Sequence, residues 1–267
     1  MEEKLLKKLQ QVETEMIVAF DAFCEQHQIN YTLAYGSLIG AVRHHGPIPW
    51  DDDVDIIMTR ADYDRFIELW RTNPMPGYYL QEIGKHAISN INHAKLRKDG
   101  TVLSSKAEFD EDKHNGIWID LFPMDKLPKN RIKRAVMLFW ARVRIVYTRN
   151  YVANGMGKAA YVLSKCMLSV PAILKKKLKD YAEDYILKYN HLSEGYDYIN
   201  LAAPAGLNLY FDPKLFEEYI KIDYDGHQFS IVKRYDEMLK LSYGDYMQLP
   251  PEEQRICKHN PEIVKFE

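Results

Sequence analysis

The chain has 267 residues, 46% of them apolar, 28% charged and 12% aromatic, a composition that excludes disordered and fibrous classes. Its three cysteines, Cys24, Cys166 and Cys257, are far apart and match no zinc or redox spacing, which removes the disulfide-scaffold class and fits a reducing compartment. Net charge is only -2, yet 14 Lys and Arg and no Asp or Glu lie between Lys126 and Lys179, leaving 22 basic against 38 acidic residues elsewhere.

Residues 1–11 lack the apolar run of a secretory signal, and no stretch approaches the roughly 18 apolar residues of a membrane span, so a cytoplasmic protein is expected. Leu5, Leu6, Leu9, Val12, Met16, Phe20 and Phe23 recur at three and four, which predicts an amphipathic, core-packing helix over 3–28. Residues 31–35 read as a short strand ending at a Gly36-Ser37 turn, with a helix from Leu38. The prolines of His45-Gly46-Pro47-Ile48-Pro49 force a loop. Alternation from Asp53 to Met58 then predicts a strand with Asp53 and Asp55 on one face, followed by a helix over 61–71. A further strand, 116–122, carries a lone carboxylate, Asp120. Residues 131–149 and 159–174 read as two helices of the basic tract, the second ending in Lys175-Lys176-Lys177. Beyond Tyr181 the chain is rich in tyrosine, with turns at Asp212-Pro213, Asp225-Gly226 and Leu249-Pro250-Pro251. The organisation expected is a mixed α/β core over 1–125, a basic helical insertion over 126–195, and a C-terminal part, 196–267, packed on the core.

Two carboxylates at i and i+2 on a strand stand about 6 to 7 Å apart and can share divalent cations. Asp51 has the same parity, so three acids crowd one face, a costly arrangement unless a cation neutralises them. The alternative is an acidic surface loop. Against it, the acids are flanked by Trp50 and Ile56-Ile57-Met58, and a Gly-Ser pair precedes them. Glycine permits close backbone approach, and a serine hydroxyl can bond a phosphate oxygen. A phosphate-binding turn, paired aspartates and a third aspartate from a neighbouring strand are the parts of a nucleotidyltransferase clamp for two-metal phosphoryl transfer.

The run from Ala34 to Ile56, with Tyr35-Gly36-Ser37-Leu38, Arg43-His44-His45-Gly46-Pro47 and Trp50-Asp51-Asp52-Asp53-Val54-Asp55, closely resembles the signature of the LicD family of phosphorylcholine transferases, related to fukutin and fukutin-related protein. The resemblance continues through Lys95-Leu96-Arg97 with Thr101, Ile119-Asp120-Leu121-Phe122-Pro123-Met124-Asp125, and Tyr243-Gly244-Asp245-Tyr246-Met247 with Leu249-Pro250-Pro251. It implies transfer of phosphocholine from CDP-choline to a sugar hydroxyl of a cell-surface glycan precursor, of teichoic acid or lipopolysaccharide type, with release of CMP. It also implies magnesium, two ions in the proposed scheme, on Asp51, Asp53, Asp55 and Asp120. The cysteine cluster that holds zinc in some eukaryotic relatives is missing, so no zinc is expected.

Lys95, Arg97 and Arg43 are candidates for pairing with the donor diphosphate, against solvated surface charges as the alternative. Adjacent histidines point apart, so His44 and His45 make poor metal ligands, and His259 has no assigned role. A trimethylammonium head needs aromatic faces, for which Tyr35 and Trp50, then Trp118 and Tyr243, are nearest in sequence. The basic tract lacks a nucleic-acid recognition motif, so nucleic acid is not an expected partner; an anionic membrane surface at the inner face of the cell membrane, or a solvated helical subdomain, explains it equally well. Rival readings of the whole are transfer of a polyol phosphate or a nucleotidyl group, and a non-catalytic, metal-dependent glycan-binding protein.

Overall fold

The structure, a computed structural model, describes residues 2–82, 92–105, 109–111, 113–152, 157–202, 204–257 and 261–266. The chain folds as two compact units, the first made of Met1–Glu82, Ala94–Phe122 and Lys214–Glu267, the second of Pro123–Pro213 with Asn92 and His93. The class is mixed α/β.

The first unit opens with α1 (Glu3–His27), whose Leu9, Met16, Ile17 and Phe20 are fully buried, as their spacing requires. Phe20 packs edge-on to Tyr31 at 5.1 Å and tilted to Phe66 at 5.3 Å. There follow β1 (Thr32–Leu33), α2 (Tyr35–Ile39), which runs on through a π turn at Gly40–His44, then β2 (Asp55–Thr59) and α3 (Arg60–Thr72). The Thr59 hydroxyl accepts from Asp62 N and caps α3. Next come β3 (Tyr78–Gln81), β4 (Ala94–Lys98), β5 (Val102–Ser104) and β6 (Trp118–Pro128). The sheet order is β1-β2-β6-β4-β3, with β4 antiparallel to both β3 and β6.

In the second unit, the far end of β6 pairs antiparallel with β7 (Tyr196–Asn200), which pairs with β8 (Tyr210–Phe211). The helices α4 (Arg131–Arg149), α5 (Lys158–Leu168) and α6 (Ala172–Leu187) lie between those strands in sequence. Met137, Ala141 and Ile145 of α4 and Ile186 of α6 share a core with Leu127, Ile199 and Leu201. The chain then returns to the first unit as the hairpin β9 (Tyr219–Tyr224) and β10 (His227–Val232), α7 (Tyr235–Tyr243), and β11 (Ile263–Lys265) paired with β5. Asp225 and Gly226, both at positive φ, close that hairpin, as the Asp-Gly pair predicts.

Three local expectations are corrected. Gly36 and Ser37 do not precede a helix; they sit in its first turn, since α2 begins three residues early at Tyr35, whose φ is +46°. Residues 51–54 are irregular and β2 begins only at Asp55, so strand parity does not govern Asp51 to Asp53. The single helix expected over 159–174 is two, parted at Ser169-Val170-Pro171, where proline forfeits a backbone donor and starts α6.

Candidate active site

The acidic loop is built before it is charged. From α1, Gln10 donates its amide to Ile48 O at 2.9 Å and to Asp51 O at 2.8 Å, holding the Pro-containing loop against the helix. Ser37 Oγ, buried at the start of α2, accepts from Asp55 N at 2.9 Å, and Ala34 N donates to Asp55 O. Gly36 leaves no room for a side chain: a Cβ there would stand 2.3 Å from Asp51 Oδ2. That oxygen is the end of a side chain, so a methyl at this position would displace the Asp51 carboxylate.

On that scaffold, one carboxylate oxygen each of Asp51, Asp52 and Asp53 lies within 4.8 Å of the others. Asp120 arrives from β6, its N donating to Val54 O at 2.8 Å. Directly opposite in register on β4 is Lys95, whose Nζ meets Asp120 Oδ1 at 3.0 Å, while Trp118 Nε1 donates to Asp120 Oδ2 at 3.1 Å. Lys95 Nζ and the Arg97 guanidinium both lie over the Trp118 ring, at 4.0 and 5.0 Å. Burial pushes the Asp55 carboxyl well above its usual range, and Asp53, Asp120 and Asp51 add to the effect while Lys95 opposes it. Burial also lowers the Lys95 pKa, in spite of Asp120.

Two members of this centre escaped the sequence reading. Asp52, 2% exposed, has the wrong parity for a strand face, but the loop is no strand and brings it beside its neighbours. Glu13, also 2% exposed, lies one turn along α1 from Gln10, and its Oε1 has no hydrogen-bond partner. Burial, then Asp53, Asp52, Asp51 and Asp120, raise its pKa well above the ordinary value. An acid among the apolar positions of a helix predicted to be core was the one available signal.

The expected ligands for substrate are placed as follows. Arg97 is committed to Gln81 Oε1 and Gly116 O, both at 2.8 Å. Arg43 donates to Tyr246 O at 2.6 Å and to His44 Nε2 at 3.0 Å, tying the π turn to the C-terminal segment. Trp50 lies between the His44 ring, 6.1 Å away, and the Arg255 guanidinium at 5.6 Å. Burial, then Arg43, lower the His44 pKa. His45, at positive φ, offers its carbonyl to Asp225 N. Tyr35 packs edge-on to Phe122 at 5.9 Å. Burial, then Asp55, Tyr35, Asp51 and Asp53, raise the Tyr243 pKa. His259 lies outside the described residues.

The donors are all hard oxygens, a set that suits magnesium, manganese or calcium and disfavours soft metals. Like charges crowded in a partly buried loop, with a buried carboxyl oxygen unpartnered beside them, fit a divalent cation.

Comparison with known proteins agrees with this geometry. Residues 28–171 match the family model described as LicD/FKTN/FKRP, nucleotidyltransferase domain. The chain is 28% identical over 263 residues to the lipopolysaccharide cholinephosphotransferase LicD of Haemophilus influenzae, covering 97% of each protein. A 56-residue stretch is 38% identical to the uncharacterized protein RT0683 of Rickettsia typhi, over 21% of this chain and 18% of that one. The match spans α2, the acidic loop and Asp120 alike, and the chain belongs to the LicD/FKTN/FKRP nucleotidyltransferase family.

Proposed function

We propose that this protein is a transferase that moves phosphocholine from CDP-choline to a sugar hydroxyl of a lipopolysaccharide-type glycan precursor, releasing CMP. The observation that carries the reading is the near full-length similarity to a lipopolysaccharide cholinephosphotransferase, combined with an oxygen-rich acidic centre fed by three chain segments. Asp51, Asp52 and Asp53 are read as the main holders of magnesium, with Asp55 and Asp120 alongside; a scheme with two ions is the reading favoured. When bound, the metal supplies charge neutralisation at the diphosphate and acidifies a bound hydroxyl.

The chain's own residues carry the rest. Ser37 keeps its hydroxyl proton for a donor phosphate, since its oxygen already accepts from Asp55 N. Lys95 and Trp118 orient the Asp120 carboxylate, the group assigned to take the acceptor's proton. Tyr243 and Tyr35 are the aromatic faces assigned to the choline head, ahead of Trp50, which Arg255 and His44 already face. Lys95, Arg97 and Arg43 act by holding the site together. The acceptor is read as a lipid-linked glycan, used in the cytoplasm at the inner face of the membrane.

Incubation with CDP-choline and a lipopolysaccharide precursor is expected to release CMP, and Asp55→Asn is expected to abolish release while leaving the fold intact. CMP released from a CDP-polyol but not from CDP-choline would shift the assignment to polyol phosphate transfer. Glycan binding with no turnover on any donor would favour the binding-protein reading.

A further inference from the structure

Half of the large apolar side chains exposed among the described residues, ten of twenty, fall between Ile132 and Tyr181 in the second unit. That is the stretch that carries 14 basic and no acidic residues from 126 to 179. On α4, Ile132, Val136 and Phe139 follow one another at four and three, so at roughly 100° per residue they share a face. Their exposures are 77%, 36% and 56%. The buried Met137, Ala141, Ile145 and Thr148 occupy the opposite face; on the stripe's own side the helix is buried at Val143 and Tyr147, so the exposed stripe belongs to the first half of α4. Arg131 and Arg142 lie along one side of it and Lys133 along the other.

The stripe continues sideways. Phe139 meets Trp140 at 5.3 Å, and Trp140 meets Tyr181 of α6 edge-on at 4.7 Å. On α6, Leu174, Lys177 and Tyr181 share a face and are all exposed. The intervening α5 offers Tyr161, Val162 and Leu163 to solvent in succession. Apolar surface of this extent in water marks an interaction site. Among the described residues no helix is long and apolar enough to cross a membrane.

We infer that the exposed face of α4, α5 and α6 docks on an anionic lipid bilayer, laying its apolar stripe into the interface while the flanking Lys and Arg meet the headgroups. Charge complementarity selects this occupant. A second copy of the chain would bring a predominantly basic surface against itself, its 14 Lys and Arg between 126 and 179 facing only the acids at the end of α6, Asp180, Glu183 and Asp184. The inference stands on this face alone and does not depend on which CDP donor the acidic centre takes.

The test is sedimentation of the full chain with phosphatidylcholine vesicles, with and without phosphatidylglycerol, in the absence of substrate. Binding is expected only with phosphatidylglycerol, weakening steeply as salt rises to about 1 M, where the screening length is about 3 Å. Replacing Arg142, Lys165 and Lys177 with glutamine, one exposed cation per helix, should weaken partitioning on the order of a hundredfold, about fivefold per cation. Replacing Ile132, Phe139 and Leu174 with serine should weaken it further at any salt, with CMP release from a water-soluble acceptor unchanged. No binding to anionic vesicles at low salt overturns the inference. So does concentration-dependent dimerisation that the serine variant abolishes while vesicle binding persists.

Discussion

The two units treat charge in opposite ways. In the first, Asp52, Glu13 and Asp120 are buried to 6% exposure or less, and the charges that raise the Glu13 and Asp55 pKa values are other acids. In the second, most of the charge is basic and stands in solvent, and the exception shows the rule. Arg144, 2% exposed, pairs at 2.7 Å with Glu183, which lies just past the acid-free tract, and also donates to Leu201 O. Where this protein buries a charge for structure, it supplies the opposite charge. At Asp51 to Asp53 it gathers like charges in a partly buried loop, the kind of crowding that a divalent cation neutralises. The same reasoning assigns opposite partners to the two units, a cation for one and an anionic surface for the other.

The comparison breaks first at the acidic loop. Asp53→Asn removes one oxygen ligand and is expected to lower turnover by at least roughly a hundredfold, the scale of losing one electrostatic group at a reacting centre. Asp52→Asn sharpens the point. If the loop holds the ion as its geometry suggests, manganese affinity measured by electron paramagnetic resonance should fall tenfold or more in both variants. Unchanged affinity in Asp52→Asn would return the ion to Asp53 and Asp55 alone.

Next in size is Lys95, the cation paired with Asp120. The Lys95 and Asp120 side chains are 12% and 8% exposed, so Lys95→Met takes the cation from a carboxylate grouped with Asp51, Asp53 and Asp55. It should cost about 3 kcal/mol in chemical denaturation, as breaking buried pairs does. Gly36→Ala should act through a different route. Its methyl displaces the Asp51 carboxylate, so metal affinity falls while the melting temperature without metal moves little.

Acidity gives a smaller and more diagnostic effect. Asp55 and Glu13 have folded pKa values raised above the ordinary 3.8 and 4.5, so the folded state holds protons that the unfolded chain releases. Stability in a chelator is therefore full below those ordinary values and falls as pH rises above about 4.5. Magnesium should reverse the fall, most strongly at the high end, and its uptake should release protons measurable by calorimetry in buffers of different ionisation enthalpy. Glu13→Gln should flatten the slope. A chelated protein whose melting temperature rises steadily from pH 5 to 8 would contradict the raised values.

What the sequence made legible follows from periodicity and from punctuation. The burial of α1, the extent of α4 and the Asp225-Gly226 hairpin each rest on signals carried by adjacent residues. Lys95 opposite Asp120 could be suspected, since both were singled out, but their pairing depends on β4 and β6 lying side by side. For the acidic run, alternation from Asp53 onward predicts a strand, and Asp51 shares its parity. Gln10 holds it as a loop instead, and that contact, across about forty residues of sequence, has no local trace. Glu13 was hidden for the same reason: an acid on a core helix gains meaning only when the helix is packed against other acids.

The smallest expected effect separates the two faces of α4. Met137 is fully buried in the core of the second unit, so Met137→Ala should cost about 2 to 5 kcal/mol. Ile132, at 77% exposure, has almost nothing to lose in the folded chain, and Ile132→Ser should change stability by no more than about 0.5 kcal/mol. A protein that keeps an isoleucine where folding does not need it retains apolar area for another contact. If Ile132→Ser proved as costly as Met137→Ala, the stripe would belong to the core after all, and the contrast between the units would reduce to charge alone.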